Sequence, residues 1–241
     1  MHSVRPPLFY CIGASVPAIL LTVKVLLFGA TGMVGQGVLR ECLLDPAVDS
    51  VLSIVRRPTG AENPRLREIV VADFYNLSPL SPQLTGIDAC YYSIGVTSNG
   101  LSEHAYRRIS YDMTMEAATL LLRLNPAMTF IYVSALGADP TERGRIMWAR
   151  IRGALENALL KLPFRQLFIF RLAIIQPLHG ITSRTRSYRI AYNILAPVLP
   201  LILRLLPNYA TTTEQIGKAM LAVTRNGYPT QILQTRDINS L

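Results

Sequence analysis

Short apolar runs rich in β-branched residues alternate along the chain with stretches of helical periodicity. The apolar runs cover 23–28, 51–55, 69–72, 89–94, 129–133 and 167–170. Such near-continuous apolar strands are expected where a parallel sheet is covered on both faces. Helical patterns fill 33–44, 103–124, 145–162 and 214–225. The first three stop at Asp45-Pro46, Asn125-Pro126 and Pro163; the last starts from Thr213 as a cap and stops before Gly227. Alternating strands and helices predict right-handed βαβ units. The fold class is therefore α/β, a doubly wound parallel sheet of the Rossmann type, with a small C-terminal cap on the substrate side.

A chain of 241 residues suits one such domain. Residues 23–241 are expected to form it, with 175–210 as the cap and 1–22 as a loosely ordered N-terminal extension. Within that extension, 8–23 is largely apolar and follows Arg5. The run is shorter than the roughly 20 residues of a spanning helix, and it passes into the first strand, which argues against a cleaved leader. A second apolar stretch, 190–206, holds Pro197 and Pro200 and is read as part of the cap. For both stretches, peripheral membrane contact stays open as an alternative.

Charge adds a constraint. Basic residues number 24 against 15 acidic, a formal net charge of +9, and only Lys24, Lys161 and Lys218 are lysines. The positive charge is spread out, without a block of like charges or interleaved aromatics, so no nucleic-acid partner is expected. Cys11, Cys42 and Cys90 form no CxxC pair, and His2, His104 and His179 have no metal-ligand spacing. No metal site and a reducing, cytoplasmic compartment are the expectations, for a monomer or a homodimer.

The chemistry-bearing motif is Gly29-Ala30-Thr31-Gly32-Met33-Val34-Gly35, between the first strand and the first helix. Gly29 permits the sharp turn off the strand. Gly32 lets backbone approach a pyrophosphate, and Gly35 lets the helix pack close to the sheet. The helix N-terminus, at Met33 and Val34, then offers free N–H groups to the phosphates of a dinucleotide. Where a carboxylate for a ribose 2′-hydroxyl is expected, about 20 residues on, stand Arg56 and Arg57. Two guanidiniums suit a 2′-phosphate, so NADP is favoured and NAD stays possible. Asp73 and Phe74, at the close of the third strand, are placed against the adenine. Ile94 and Gly95, at the close of the fourth, are placed against the adenosine ribose.

These residues resemble the short-chain dehydrogenase/reductase superfamily: GATGMVG after KVLLF, the RR ending of strand two, ADF after strand three and VSALGAD after strand five. The similarity is greatest to its atypical and extended branch of epimerase/dehydratase-like and Tat-interacting-oxidoreductase-like proteins, and it spans about 24–241. It implies a nicotinamide cofactor, a small-molecule substrate and a catalytic Ser with Tyr-x-x-x-Lys. Ser134 matches the serine. The tyrosine frame falls on Trp148 and the lysine on Arg152. An indole N–H is too weak an acid to replace a phenol; an arginine cannot relay a proton, but Arg152 can still hold the nicotinamide ribose and stabilise a nearby anion. Ser110-Tyr111-Asp112 gives no clear match to the family's helper asparagine. Three readings stay open: a proton from Tyr92, Tyr188 or a water on Ser134; transfer to a quinone or flavin that needs no strong acid; or NADP binding without turnover, as a redox sensor or scaffold.

Overall fold

The computed structural model describes residues 22–182 and 199–241. Tyr188, all of 1–22 except Thr22, and most of the 190–206 stretch lie outside the described residues, as does the middle of the expected cap.

Strand β1 (Val23–Phe28) is the centre of the molecule. Helix α1 (Met33–Leu44), β2 (Val48–Val55) and β3 (Leu66–Val70) build one wing, in the order β3-β2-β1. The other wing continues from β1 through β4 (Ala89–Tyr92), β5 (Thr129–Ala135), β6 (Gln166–Leu172) and β9 (Ile232–Gln234). Every neighbouring pair in this sheet is parallel. The order reverses direction between β1 and β4. In such sheets the crevice for a ligand opens at the carboxyl ends of the two strands flanking that point. A second, two-stranded sheet pairs β7 (Ile174–Gln176) with β8 (Ala210–Thr212).

Strand alternation sorts the core into two layers. Val25, Leu27, Tyr91, Ile131 and Phe170 pack beneath α1 and α6 (Thr213–Asn226). Leu26, Phe28, Tyr92, Phe130 and Tyr132 point the other way, beneath α3 (Met113–Leu124) and α4 (Met147–Leu160). Tyr92 sits in an aromatic row, 5.1 Å from the Phe28 ring centroid and 6.3 Å from that of Phe130. Each fully buried side chain of this size contributes about 1.5–3 kcal/mol, so both layers bind the strands firmly.

The helix ends follow local chemistry. Asp45, ahead of Pro46, is extended (φ −75°, ψ 121°) and stops α1. Gly227 ends α6 at φ +70°. The cap of α6 is Thr212, whose hydroxyl accepts from the Gln215 N–H, and not Thr213 as the sequence suggests. The Thr213 hydroxyl is buried and accepts from the Leu178 N–H instead.

The expected helix 103–124 is interrupted. Helix α2 (Glu103–Arg107) passes into a π turn at Arg108–Asp112 before α3 begins. From the first turn of α3 the Thr114 hydroxyl donates back to the Ser110 carbonyl at 2.7 Å, a side-chain bond that competes with the regular ladder. No helix among the described residues is long and apolar enough to cross a membrane. Helix α5 (Leu199–Leu205) and α7 (Thr235–Ile238) complete the chain.

Candidate functional site: a glycine loop at the sheet crossover and an arginine beside it

The glycine loop leaves β1 at the crossover point. Gly29 takes φ +85°, and a Cβ there would lie 2.8 Å from the Ser93 backbone and hydroxyl. A Cβ on Gly35 would lie 2.0 Å from the Gly29 carbonyl oxygen. The first turn of α1 therefore rests directly on the loop. The Gly32 N–H donates to the Gly29 carbonyl at 2.8 Å and closes the turn. Gly32 is the α1 N-cap, with no side-chain cap and no acidic residue in the first turn. Met33 and Val34 pack their side chains on the core, so what they present outward is backbone N–H.

A cleft of about 200 Å³ opens over this loop, lined by Ala30, Thr31, Gln36, Thr59 and Thr182. Gln36 spans it, donating to the carbonyls of Thr31 (3.3 Å) and Thr182 (3.4 Å). Arg56 and Arg57 stand exposed just past β2, on the chain that leads to Thr59, and form no ion pair among the described residues. An uncapped helix end, a backbone cradle that a Cβ would fill, and unpaired guanidiniums fit a phosphorylated dinucleotide. A larger hollow of about 500 Å³, lined by Phe164, Arg165, Gln166, Asn226 and Tyr228, lies at the amino ends of β6 and β9, away from the loop.

Two residues expected at the adenine end sit differently. Asp73 does not close β3, which ends at Val70; it is an exposed turn residue whose carboxylate accepts from the Tyr75 N–H at 2.8 Å. Phe74 turns its ring into the core, edge-on to Phe28. Ile94 packs partly on the core, and Gly95 is exposed past the end of β4.

On the far side of the crossover the expected catalytic group breaks apart. Ser134 is 4% exposed, and its hydroxyl donates to Glu156 Oε1 at 2.5 Å. Glu156, 1% exposed, is also paired with Arg171 at 2.5 Å. The serine thus supports a buried ion pair between α4 and β6, and its proton is engaged by Glu156. Tyr92 is ruled out as a proton donor by position: it is fully buried, and burial pushes its hydroxyl well above the usual phenol range.

Trp148, Arg152 and Glu156 fall on one face of α4 at successive turns. Trp148 occupies the tyrosine position, its ring 3.3 Å from where a Cβ on Gly137 would be. Gly153 lets α4 approach the loop after β5, since a Cβ there would lie 1.7 Å from the Asp139 carbonyl. That loop is pinned by the Asp139 carboxylate, which accepts from the Thr141 hydroxyl at 2.6 Å and the Gly144 N–H at 2.7 Å. These bonds hold Asp139 below its ordinary carboxylate range.

Arg152 reaches the carboxyl edge of the sheet. Its Nε donates to the Tyr106 hydroxyl at 3.1 Å and its Nη1 to the Tyr132 hydroxyl at 3.4 Å. Its Nη2 lies 3.6 Å from where a Cβ on Gly95 would stand. Burial disfavours the charge, but Tyr132 and Tyr106 outweigh it, and Arg152 stays protonated. Tyr106 and Tyr132 are absent from the sequence reading because they lie on α2 and β5, distant in sequence. Glu156 and Arg171 had a weak signal: a carboxylate four residues past Arg152 on a largely apolar helix face.

No protein-family model matches the chain. Among curated proteins it is 26% identical over 155 residues to "Protein FMP52, mitochondrial" of Chaetomium globosum, across 62% of this chain and 65% of that one. It is 27% identical over 204 residues to the Emericella nidulans counterpart, across 81% and 84%. With Protein HTATIP2 of Rattus norvegicus it shares 25% over 154 residues, across 63% and 62%. The chain thus spans slightly under two thirds of two of these three relatives. The fungal relatives are named mitochondrial proteins, which overturns the cytoplasmic expectation. That expectation came from cysteine usage, which reports a reducing environment and not an address.

The fold is that of solved dinucleotide-binding enzymes. The Bordetella bronchiseptica enzyme WbmF, in complex with NAD+, superposes with a TM-score of 0.65 at 14% identity, over 92% of this chain and 77% of that one. A Burkholderia cenocepacia short chain dehydrogenase in complex with NADP gives 0.60 at 14%, over 92% of each. The chain is thus similar in fold to short-chain dehydrogenase and epimerase structures, and similar in sequence to FMP52 and HTATIP2 proteins.

Proposed function

We propose that this protein binds NADP(H) at the glycine loop and acts as an atypical oxidoreductase or epimerase on a small molecule. The observation that carries the reading is the uncapped N-terminus of α1 resting on Gly29 and Gly35, with the exposed pair Arg56 and Arg57 beside it. The pyrophosphate takes the N–H groups of Met33 and Val34. The arginines take the 2′-phosphate, with Thr31 and Thr59 lining the cleft between them. Past the crossover, beyond Ile94 and Gly95 beside the adenosine ribose, the nicotinamide half runs toward Arg152. When bound, the cofactor supplies the redox chemistry; this chain's residues bind it, orient it and place a fixed cation beside it. The names of the relatives favour a mitochondrial setting.

Calorimetric titration with NADPH and NADH tests the reading. Tighter binding of NADPH, lost in Arg56→Ala together with Arg57→Ala, is the expected result. Equal affinity for both cofactors would remove the NADP assignment, and no binding of either would remove the function.

A second reading has its own support. Trp148 replaces the acidic phenol, Ser134 is engaged by Glu156, and Tyr92 is buried. These favour NADP binding without turnover, as a redox sensor or scaffold. NADPH-dependent partner capture without consumption of NADPH across a carbonyl and quinone panel would distinguish it.

A further inference from the structure

Among the partly buried arginines, Arg171 has Glu156 and Arg150 has Glu103, while Arg65 donates its guanidinium to the backbone carbonyls of Asp45, Val48 and Leu43. Arg152 has no carboxylate within ion-pair distance among the described residues, only the phenol oxygens of Tyr106 and Tyr132. The acid one turn away, Glu156, is taken by Arg171 and Ser134. A partly desolvated cation with neutral acceptors alone is costly, and an arriving anion relieves that cost. The two phenols fix the guanidinium from Nε and Nη1. Nη2 has no hydrogen-bond partner among the described residues and faces Gly95, with the position of a Cβ there at an ordinary contact distance of 3.6 Å.

We propose that Arg152 is the seat for a carboxylate on the substrate, so that the substrate class is a small organic acid. The inference rests on the dinucleotide reading of the glycine loop across the crossover. The anionic end of the dinucleotide is accounted for across the crossover, at α1 and at Arg56 and Arg57, so the cofactor's phosphates are not what reaches Arg152. A guanidinium fork pairs with a planar carboxylate through parallel N–H bonds, and it keeps its charge at any physiological pH. Tyr106 and Tyr132 act as positioning residues for it.

The test uses the full chain with NADP+ present, its binding measured separately by calorimetry on the same sample. Pyruvate and its neutral counterpart pyruvamide are then titrated, with inorganic phosphate as a second anion, and binding is read from Trp148, the chain's single tryptophan. Pyruvate is expected to bind saturably and pyruvamide at least ten-fold more weakly. Arg152→Gln should weaken pyruvate about ten-fold or more, as expected for loss of a charge-assisted bond, and by more than it weakens NADP+ on the same sample. Arg152→Lys, which keeps the charge, should retain part of the binding and guards against a folding defect in the glutamine variant. Equal binding of pyruvate and pyruvamide, pyruvate binding that survives Arg152→Gln, or binding of phosphate alone would overturn the proposal. Arg152-dependent pyruvate binding without any NADP+ binding would leave the carboxylate seat standing and remove the cofactor reading.

Discussion

Replacing Ser134 by alanine separates a structural serine from a substrate-facing one. The hydroxyl gives a buried bond of 2.5 Å to a carboxylate that is 1% exposed. A hydrogen bond to a charged group contributes about 1.5–3 kcal/mol. Glu156 keeps Arg171, whose Nη2 and Nε lie 2.5 and 3.0 Å from Oε2, so the carboxylate is not abandoned. Its Oε1, however, is left with only the long 3.3 Å contact from Arg171 Nε. The loss should be about 2 kcal/mol, which for a chain of this size lowers Tm by about 4–8 °C. Glu156→Gln places an amide N–H against donors and should cost more, about 3 kcal/mol or above, as for a broken buried pair. In the double variant the serine change should add little to the glutamine change, because the two share one bond. Thermal melts by circular dichroism, with NADPH titrations on each variant, measure both halves. NADPH affinity should be unchanged in Ser134→Ala. A Tm unchanged within about 1 °C, with loss of turnover on any substrate found, would refute the structural assignment and return Ser134 to the substrate.

Other substitutions follow from the same geometry. Gly35→Ala puts a Cβ 2.0 Å from the Gly29 carbonyl, so α1 must shift off the loop; NADPH binding measured by calorimetry should be lost while the fold persists. Arg56→Ala should weaken NADPH about ten-fold or more and NADH little, through loss of charge-assisted bonds to the 2′-phosphate. Gly153→Ala, with a Cβ 1.7 Å from the Asp139 carbonyl, should lower Tm by well over 5 °C, since backbone must move to admit it. The hydrogen bonds of Lys218 and His179 hold Glu214 at a pKa of about 2 against an ordinary 4.5. The carboxylate's contribution is therefore complete above pH 4.5 and is lost as pH falls through 2. Melts across that range should show a steeper fall for the wild type than for Glu214→Gln, by a small margin, because the group is solvent-exposed.

The sheet was legible because its strands are apolar and its breaks carry proline or glycine. The ends of β1 and α1 agree with the sequence reading to the residue. Strand β9 escaped notice because three residues carry no period, and it earns its place only by pairing with β6. The π turn was hidden because 103–124 has unbroken helical composition; the Thr114 bond to Ser110 that accompanies it needs three dimensions to see. The binding half of the site was readable, since glycine spacing encodes backbone approach directly. The chemical half was not. Ser134 sits in the family's serine position, but which way its hydroxyl turns is set by Glu156 and Arg171, on two other elements. Arg152 was found by its frame, while the two phenols that aim it come from α2 and β5.

The central claim is that the glycine loop holds NADP(H) with its nicotinamide end near Arg152. Trp148 lies one helical turn from Arg152, so it reports on that position without a label. Titration of the protein with NADPH, read as tryptophan quenching and sensitised nicotinamide emission, tests both parts at once. Saturable quenching that NADH reproduces only at higher concentration, and that Gly35→Ala abolishes, is the predicted result. No quenching at saturating NADPH, or quenching that persists unchanged in Gly35→Ala, would contradict it.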